Sequence, residues 1–292
     1  MEQRHIVVKF SVPFCIEKCT YCPRTIIEGW NTLRMHAYLE AVQQELIANA
    51  KQFADCRIAA VHWGGGLASM ANGQDVSDTM RLLRQHYMVA DDAPVTMRAA
   101  IANISGASMP FFKRAGVTRF DFEMMSLSPI GYTALNNRDS LGDLPVICDH
   151  FLRAYANDLL GIVLAAGSKQ AGADNFRRSV VEFTRLSASH LVIQRCVGPD
   201  AFSDTEIDHM IDDAKPLLED AGFVEYAPLK FAPLGKEDVY AQLLRGGAER
   251  LSFGLGGCSC IDGVKTTTTF DLPTYLAGAS DFAKITVSAE PL

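Results

Sequence analysis

Ile6-Val7-Val8-Lys9-Phe10-Ser11-Val12-Pro13-Phe14-Cys15-Ile16-Glu17-Lys18-Cys19-Thr20-Tyr21-Cys22-Pro23 is the stretch on which the reading of this chain turns. Its first part, Ile6–Phe10, is a β-branched and aromatic run that predicts a strand. Its second part puts Cys15, Cys19 and Cys22 into eight residues just past that strand's C-terminal end. Spacings of four and three residues let one loop wrap three thiolates around a corner of an iron–sulfur cube. A 4Fe–4S cluster usually takes four cysteines. Three local ones leave the fourth iron open to an outside ligand. The competing reading is a zinc knot completed by a distant residue. Structural zinc sites pair their ligands as Cys-x-x-Cys knuckles, and a second knuckle is missing, although Cys258 and Cys260 form a Cys-x-Cys pair.

Outward from this motif, short β-branched runs alternate with longer amphipathic ones. Strands are predicted over Ile6–Phe10, Ile58–Trp63, Val95–Ile101, Val117–Met124, Leu159–Leu164 and His190–Arg195. Helices are predicted over Met35–Phe53, Val76–Tyr87, Ser108–Ala115, Leu144–Asn157, Asn175–Leu186 and Asp204–Ala221. Such alternation makes a parallel sheet covered by helices, because parallel neighbours need long crossovers. Ligands of such sheets sit at the C-terminal strand ends. After residue 222 the rhythm changes. Phe223–Lys230 reads as a strand, Asp238–Leu244 as a short helix, Leu251–Phe270 as glycine-rich turns with a threonine-rich strand, and Leu272–Phe282 as helical. The expectation is one structural domain, residues 1–222 forming the main body and residues 223–292 an extension packed on it.

The chain has 292 residues with 27 basic and 34 acidic side chains, a net charge of −7. That balance argues against a nucleic-acid face and against attraction to anionic lipid. No run approaches the ~18 apolar residues of a membrane span, and the N-terminus does not read as a signal peptide, so a cytoplasmic protein is expected. The remaining cysteines, Cys56, Cys148 and Cys196, sit among apolar neighbours and read as buried structural thiols.

Cys-x3-Cys-x2-Cys with an aromatic residue before the last cysteine resembles the signature of the radical S-adenosylmethionine superfamily. Gly64-Gly65-Gly66, leaving the second predicted strand, is similar to that family's glycine motif, where glycine permits close backbone approach. The resemblance narrows to the branch of oxygen-independent coproporphyrinogen oxidase and its methylase and heme-chaperone relatives. It rests on Val12-Pro13-Phe14-Cys15, Trp63-Gly64-Gly65-Gly66-Leu67-Ala68-Ser69, Gly116-Val117-Thr118-Arg119-Phe120, Asn137-Arg138 and Phe253-Gly254-Leu255-Gly256-Gly257-Cys258. The oxidase's accessory C-terminal domain is expected to be absent.

The resemblance implies an incomplete (β/α)6 barrel. It implies a 4Fe–4S cluster on Cys15, Cys19 and Cys22, and S-adenosylmethionine contacted by Tyr21, Gly64, Gly65, Gly66, Asn103, Glu123 and Arg138. It further implies reductive cleavage of that cofactor for a tailoring reaction (methylation, rearrangement or hydrogen abstraction) on a small organic substrate, with flavodoxin or ferredoxin as electron donor. Several positions depart from the branch. Arg98 stands where a ribose-contacting glutamate is usual, Met125 replaces a glutamine, Gly161–Ala166 lacks an aspartate that Asp158 only precedes, and Cys258 replaces a histidine. Glu123 and Cys258 are the candidate catalytic residues, with an ion pair from Glu123 to Arg119 or Arg98 as the bland alternative. Asp121 shares a strand face with Glu123, and His62 and His190 read as packed histidines. Two other readings stay open. One is a non-catalytic iron–sulfur or heme-binding protein derived from the branch; the other is a zinc-stabilised interaction domain.

Overall fold

The computed structural model describes residues 4–15, 18–19, 21–29, 31–105, 107–135, 142, 144–155 and 159–292. Seven parallel strands form its centre. Six follow the chain: β1 (Arg4–Val12), β2 (Cys56–Gly65, with the two-residue β3, Met88–Val89, at its side), β4 (Val95–Ala99), β5 (Val117–Met125), β6 (Leu160–Ala166) and β7 (His190–Arg195). Each pairs with the next in that order, β2 with β4. An antiparallel hairpin, β8 (Val224–Ala227) and β9 (Lys230–Ala232), attaches to β7. On the opposite edge β10 (Glu249–Phe253) runs parallel to β1, and β11 (Cys258–Ile261), β12 (Val264–Thr268) and β13 (Thr286–Pro291) continue the sheet antiparallel. The sheet curls but does not close, which is the incomplete barrel expected.

Helices cover the outer face: α1 (Thr32–Asn49), α2 (Gly73–His86), α3 (Met109–Ala115), α4 (Pro129–Ala134), α5 (Leu144–Tyr155), α6 (Ala173–Thr184) and α7 (Asp204–Asp220). Their apolar stripes explain why they pack there. Val76, Met80 and Leu83 of α2, Phe176, Val180 and Phe183 of α6, and Ile207, Ile211, Ala214 and Leu218 of α7 recur at helical spacing and are buried in one cluster. The outward residues of β1, Ile6, Val8, Phe10 and Val12, enter the same cluster. Phe10 stacks on Trp63 at 4.3 Å and on Phe253 at 5.7 Å. That outer layer is the hydrophobic core.

The inner face is different. Strand alternation turns Val7, Lys9 and Ser11 of β1, His62 of β2, Thr96 and Arg98 of β4, and Asp121 and Glu123 of β5 away from the helices. The lower lumen is plugged by α8 (Val239–Arg245), whose Tyr240 packs with Val7 and Ala60. Beside it runs a buried polar chain. Asp121 accepts from His190 Nδ1 at 2.8 Å, and His190 Nε2 takes the Tyr226 hydroxyl at 2.6 Å. Burial opposes the charge on Asp121, but His190, Arg98 and Arg119 outweigh it and hold the carboxyl well below its usual range. Burial lowers the His190 pKa below its usual value, against the opposing pull of Asp121. Gly161 is required here, since a Cβ would lie 1.9 Å from Asp121 Oδ1.

Several expected boundaries shift. The strand expected over Val95–Ile101 ends at Ala99, because Ile101–Asn103 turn as one 3-10 helix. Phe223–Lys230 is not one strand: the chain reverses at Leu229, whose φ is +59°, and makes a hairpin. The region Leu251–Phe270 contains three strands, including the parallel β10. Leu272–Phe282 divides into α9 (Leu272–Gly278) and α10 (Phe282–Ile285).

Candidate functional site

The cysteine loop leaves β1 at the C-terminal mouth of the lumen. Backbone bonds from Cys15 N to Ile27 O (3.3 Å) and from Ile27 N to Pro13 O (2.7 Å) close it at its base. Cys22 N reaches Cys19 O at 3.1 Å, and Val197 N just beyond β7 donates to Tyr21 O at 3.1 Å. The loop therefore crosses the mouth from the first parallel strand of the chain to the sixth. Cys15, Cys19 and Cys22 are half-buried and free. Burial first, then Glu123, pushes the Cys15 thiol up to about 12, and burial also raises Cys19.

Tyr21 is buried in an apolar patch with Met125, Leu135, Val163, Ala165, Val192 and Cys196, and its hydroxyl hydrogen-bonds the Cys19 sulfur. Met125, which stands where the branch has a glutamine, packs at the exit of β5 with a left-handed φ of +59°. Such backbone strain persists only where surrounding structure imposes it. Cys56, Cys148 and Cys196 are all buried, and Cys196 stands within electrostatic range of Cys22.

The glycine run lies directly under the loop. Gly66 N donates to Val12 O at 2.7 Å and Leu67 N to Phe14 O at 3.1 Å. A Cβ on Gly66 would meet Phe14 O at 2.4 Å; one on Gly65, whose φ is +110°, would meet Val12 N at 3.0 Å. These glycines are needed for backbone-on-backbone packing that seats the cysteine loop, before any ligand is considered. A Cβ on Gly64 would meet His62 Nε2 at 2.6 Å.

Glu123 faces the mouth from β5. Its Oε1 lies 2.8 Å from Arg24 Nη2 and 3.6 Å from Arg98 Nη1. Of the two partners weighed from the sequence, Arg98 is the one found. Arg119 instead donates to the carbonyls of Lys236 and Glu237. Arg24 stands at this candidate site although the sequence did not mark it: it follows the third cysteine by two, bonds Gln194 of β7 as well as Glu123, and no periodic or motif signal announces it. Asn103 ends the 3-10 turn past β4 and is half-buried. Arg138, with Asn137, and Asp158 lie outside the described residues. Cys258 is on β11, at the β10 edge, with Cys260 on the same face within hydrogen-bond reach. Arg250 ties this edge down, donating from Nε to Cys258 O at 2.8 Å and meeting Cys260 Sγ at 3.8 Å.

Three thiols on one loop are the kind of donor set an iron–sulfur cluster takes. Among the described residues no three His, Cys, Asp or Glu side chains converge as the ligands of one metal ion would. A cube needs no such convergence, because each thiolate takes a different iron. Cys22 lies within electrostatic range of both Cys15 and Cys19, and Arg24 feels Cys15 and Cys22 together.

No protein-family model matches the chain. It is 30% identical over 191 residues to the oxygen-independent coproporphyrinogen III oxidase of Salmonella typhimurium, covering 65% of this chain and 42% of that one. It is 27% identical over 192 residues to the heme chaperone HemW of Mycobacterium tuberculosis, covering 63% and 47%. The chain thus spans less than half the length of these two relatives. The solved structure of the Escherichia coli coproporphyrinogen III oxidase, described as a radical SAM enzyme, superposes with a TM-score of 0.84 at 18% identity, over 100% of this chain and 72% of that one. That likeness fixes the architecture.

Proposed function

The chain belongs to the radical S-adenosylmethionine superfamily, on its coproporphyrinogen-oxidase-like branch, and from that premise we propose that it is an enzyme acting radically on a small organic substrate. One observation carries the reading: three thiols on a single loop, seated by Gly65 and Gly66 across the C-terminal mouth of a partial barrel. Cys15, Cys19 and Cys22 would hold three corners of a 4Fe–4S cluster. When bound and supplied with one electron from a donor, that cluster and S-adenosylmethionine would provide reductive radical chemistry.

The protein's own residues do the positioning. Tyr21 and its apolar neighbours wall the loop from water on the β6–β7 side. Arg24 clamps the loop to Glu123 and Gln194, joining it to β5 and β7. Tyr21, Gly64, Gly65, Gly66, Asn103 and Arg138 are the proposed cofactor contacts. Glu123 is proposed as a polar contact held in place by its two arginines, and Cys258 as a thiol at the substrate side. The reaction class proposed is methylation, rearrangement or hydrogen abstraction, and the electron donor a flavodoxin or ferredoxin.

A second reading is favoured by the Arg24–Glu123–Arg98 cluster, in which two guanidiniums already occupy the carboxylate. It is a cluster- or heme-binding protein without turnover. Anaerobic incubation of the reconstituted chain with dithionite and S-adenosylmethionine separates the two. The enzyme reading expects 5′-deoxyadenosine well above a no-protein blank, and its loss in Cys15→Ala, Cys19→Ala and Cys22→Ala. Product at the blank level from fully iron-loaded protein would leave only the binding reading.

A further inference from the structure

We infer that Cys258 and Cys260 of β11 form a two-thiol site for one soft monovalent cation, Cu(I) in kind, using none of the three thiols of the cysteine loop. The binding does not depend on the enzyme reading above. Its consequence does: a filled site would occupy Cys258, the thiol proposed for the substrate side.

β11 is gripped from both sides. Arg250 of β10 stands opposite Cys260, and on β12 Thr267 stands opposite Cys258 and Lys265 opposite Cys260. Strand alternation puts the two thiols on one face and Ser259 on the other. Ser259 is buried and its hydroxyl accepts from Ser252 N at 2.9 Å, which fixes the rotation of the strand. Both thiols are free, half-buried and within hydrogen-bond reach of each other. They are therefore paired by the backbone and still open to an arriving ion.

A disulfide is the other fate of two neighbouring thiols, and the strand opposes it. Two residues of extended chain set same-face β-carbons about 6.7 Å apart, whereas a disulfide needs them at about 3.8 Å. An ion between the sulfurs lengthens the bridge by one atom and removes that conflict. Cysteine thiolates select soft ions, Cu(I) and Zn(II) among them. Structural zinc takes four ligands, and among the described residues no third His, Cys, Asp or Glu side chain converges with this pair. Two thiols alone satisfy a two-coordinate ion. Charge points the same way. Arg250 Nη2 lies 3.8 Å from Cys260 Sγ. Lys265, which also meets Glu290 at 3.0 Å, is within electrostatic range of both thiols, and Lys9 of Cys258. Binding releases two thiol protons to solvent. Two thiolates around a monovalent cation keep one negative charge for these cations to balance; around a divalent ion they would keep none.

The test is anaerobic titration of the cluster-loaded protein with Cu(I) buffered by bicinchoninate, with the cluster absorbance followed throughout. One equivalent is expected to bind with that absorbance intact, and X-ray absorption at the copper edge should show two sulfur neighbours. Cys258→Ser and Cys260→Ser should each weaken binding about a hundredfold, since a single thiol gains nothing from chelation. Should one variant not fold, the other and the sulfur count carry the test. No uptake, unchanged affinity in the variants, three or more sulfur neighbours, or cluster absorbance lost in step with uptake overturns the inference. Copper bound by a preparation that yields no 5′-deoxyadenosine before its addition would sink the enzyme reading and leave this one standing.

Discussion

Arg24 shows most clearly what a sequence conceals at the scale of one residue. The cysteines and glycines were legible because spacing and type together encode chemistry and close packing. An arginine in an irregular loop has no such code; its worth comes from Glu123, 99 positions later, and that pairing exists only once β5 is in place. Its ion pair is mostly enclosed, with side-chain exposures of 23% for Arg24 and 9% for Glu123. Removing one partner of such a pair leaves an under-compensated charge, which costs more than the pair's own net worth. Arg98 at 3.6 Å compensates in part. Arg24→Met is therefore expected to destabilise the metal-free protein by about 2 kcal/mol, and Arg24→Met with Glu123→Gln by less than half of that. Urea denaturation of the four proteins in the cycle gives the comparison. A double variant as unstable as Arg24→Met alone would show that the pair is not what holds the loop.

At the scale of elements, periodicity located the strands and helices but not how the C-terminal segment joins them. The hairpin β8–β9 was read as one strand because Leu229, the residue that turns it, is not a turn-forming type. The parallel pairing of β10 with β1 was invisible for a related reason: five residues spanning Glu249–Phe253 carry no pattern that names a partner 243 positions away. What fixes that edge is a buried cluster around Glu45 of α1. Its carboxyl accepts from Tyr275 Oη of α9 at 2.5 Å and from Gly254 N at 2.8 Å, while Tyr38 of α1 donates to Ser11 O and accepts from Leu255 N at 2.9 Å. Burial dominates and lifts the Glu45 pKa to about 7 despite these bonds. In the unfolded chain the group releases its proton near 4.5, so over that window the folded state holds more protons. Stability from this group is complete below about 4.5 and is lost as pH rises through about 7, a change of about 3 kcal/mol. Glu45→Gln removes the titration. The difference in stability between Glu45→Gln and the parent should move in favour of Gln by about that amount from pH 4.5 to pH 8. Parallel pH profiles for the two proteins would mean that Glu45 is already neutral or already solvated.

For the whole molecule, alternation of strand and helix carried the parallel sheet and its covering helices, while the incomplete barrel followed from the family resemblance and not from periodicity. The inner face was not legible, because polar residues at alternate strand positions look the same whether they meet solvent or a charged lumen. The consequence is a barrel whose main hydrophobic core lies outside its sheet, with only small apolar clusters on the inner face, leaving the mouth to be closed by other means. The cysteine loop is that closure: anchored at β1 through Cys15 and Ile27, at β7 through Val197, and to β4 and β5 through the Glu123 cluster. A cluster gripping Cys15, Cys19 and Cys22 would lock the loop across these strands and stabilise the folded state by linkage. For a chain of this size a gain near 3 kcal/mol raises the melting temperature by roughly 5 °C or more. The gain should also be local. Hydrogen exchange at Val197, Cys22 and Ile27 should slow on iron loading, while the edge strands β11–β13, remote from the loop, should keep their rates. Uniform slowing across the sheet, or none at these three amides in fully loaded protein, would place the metal somewhere other than this mouth.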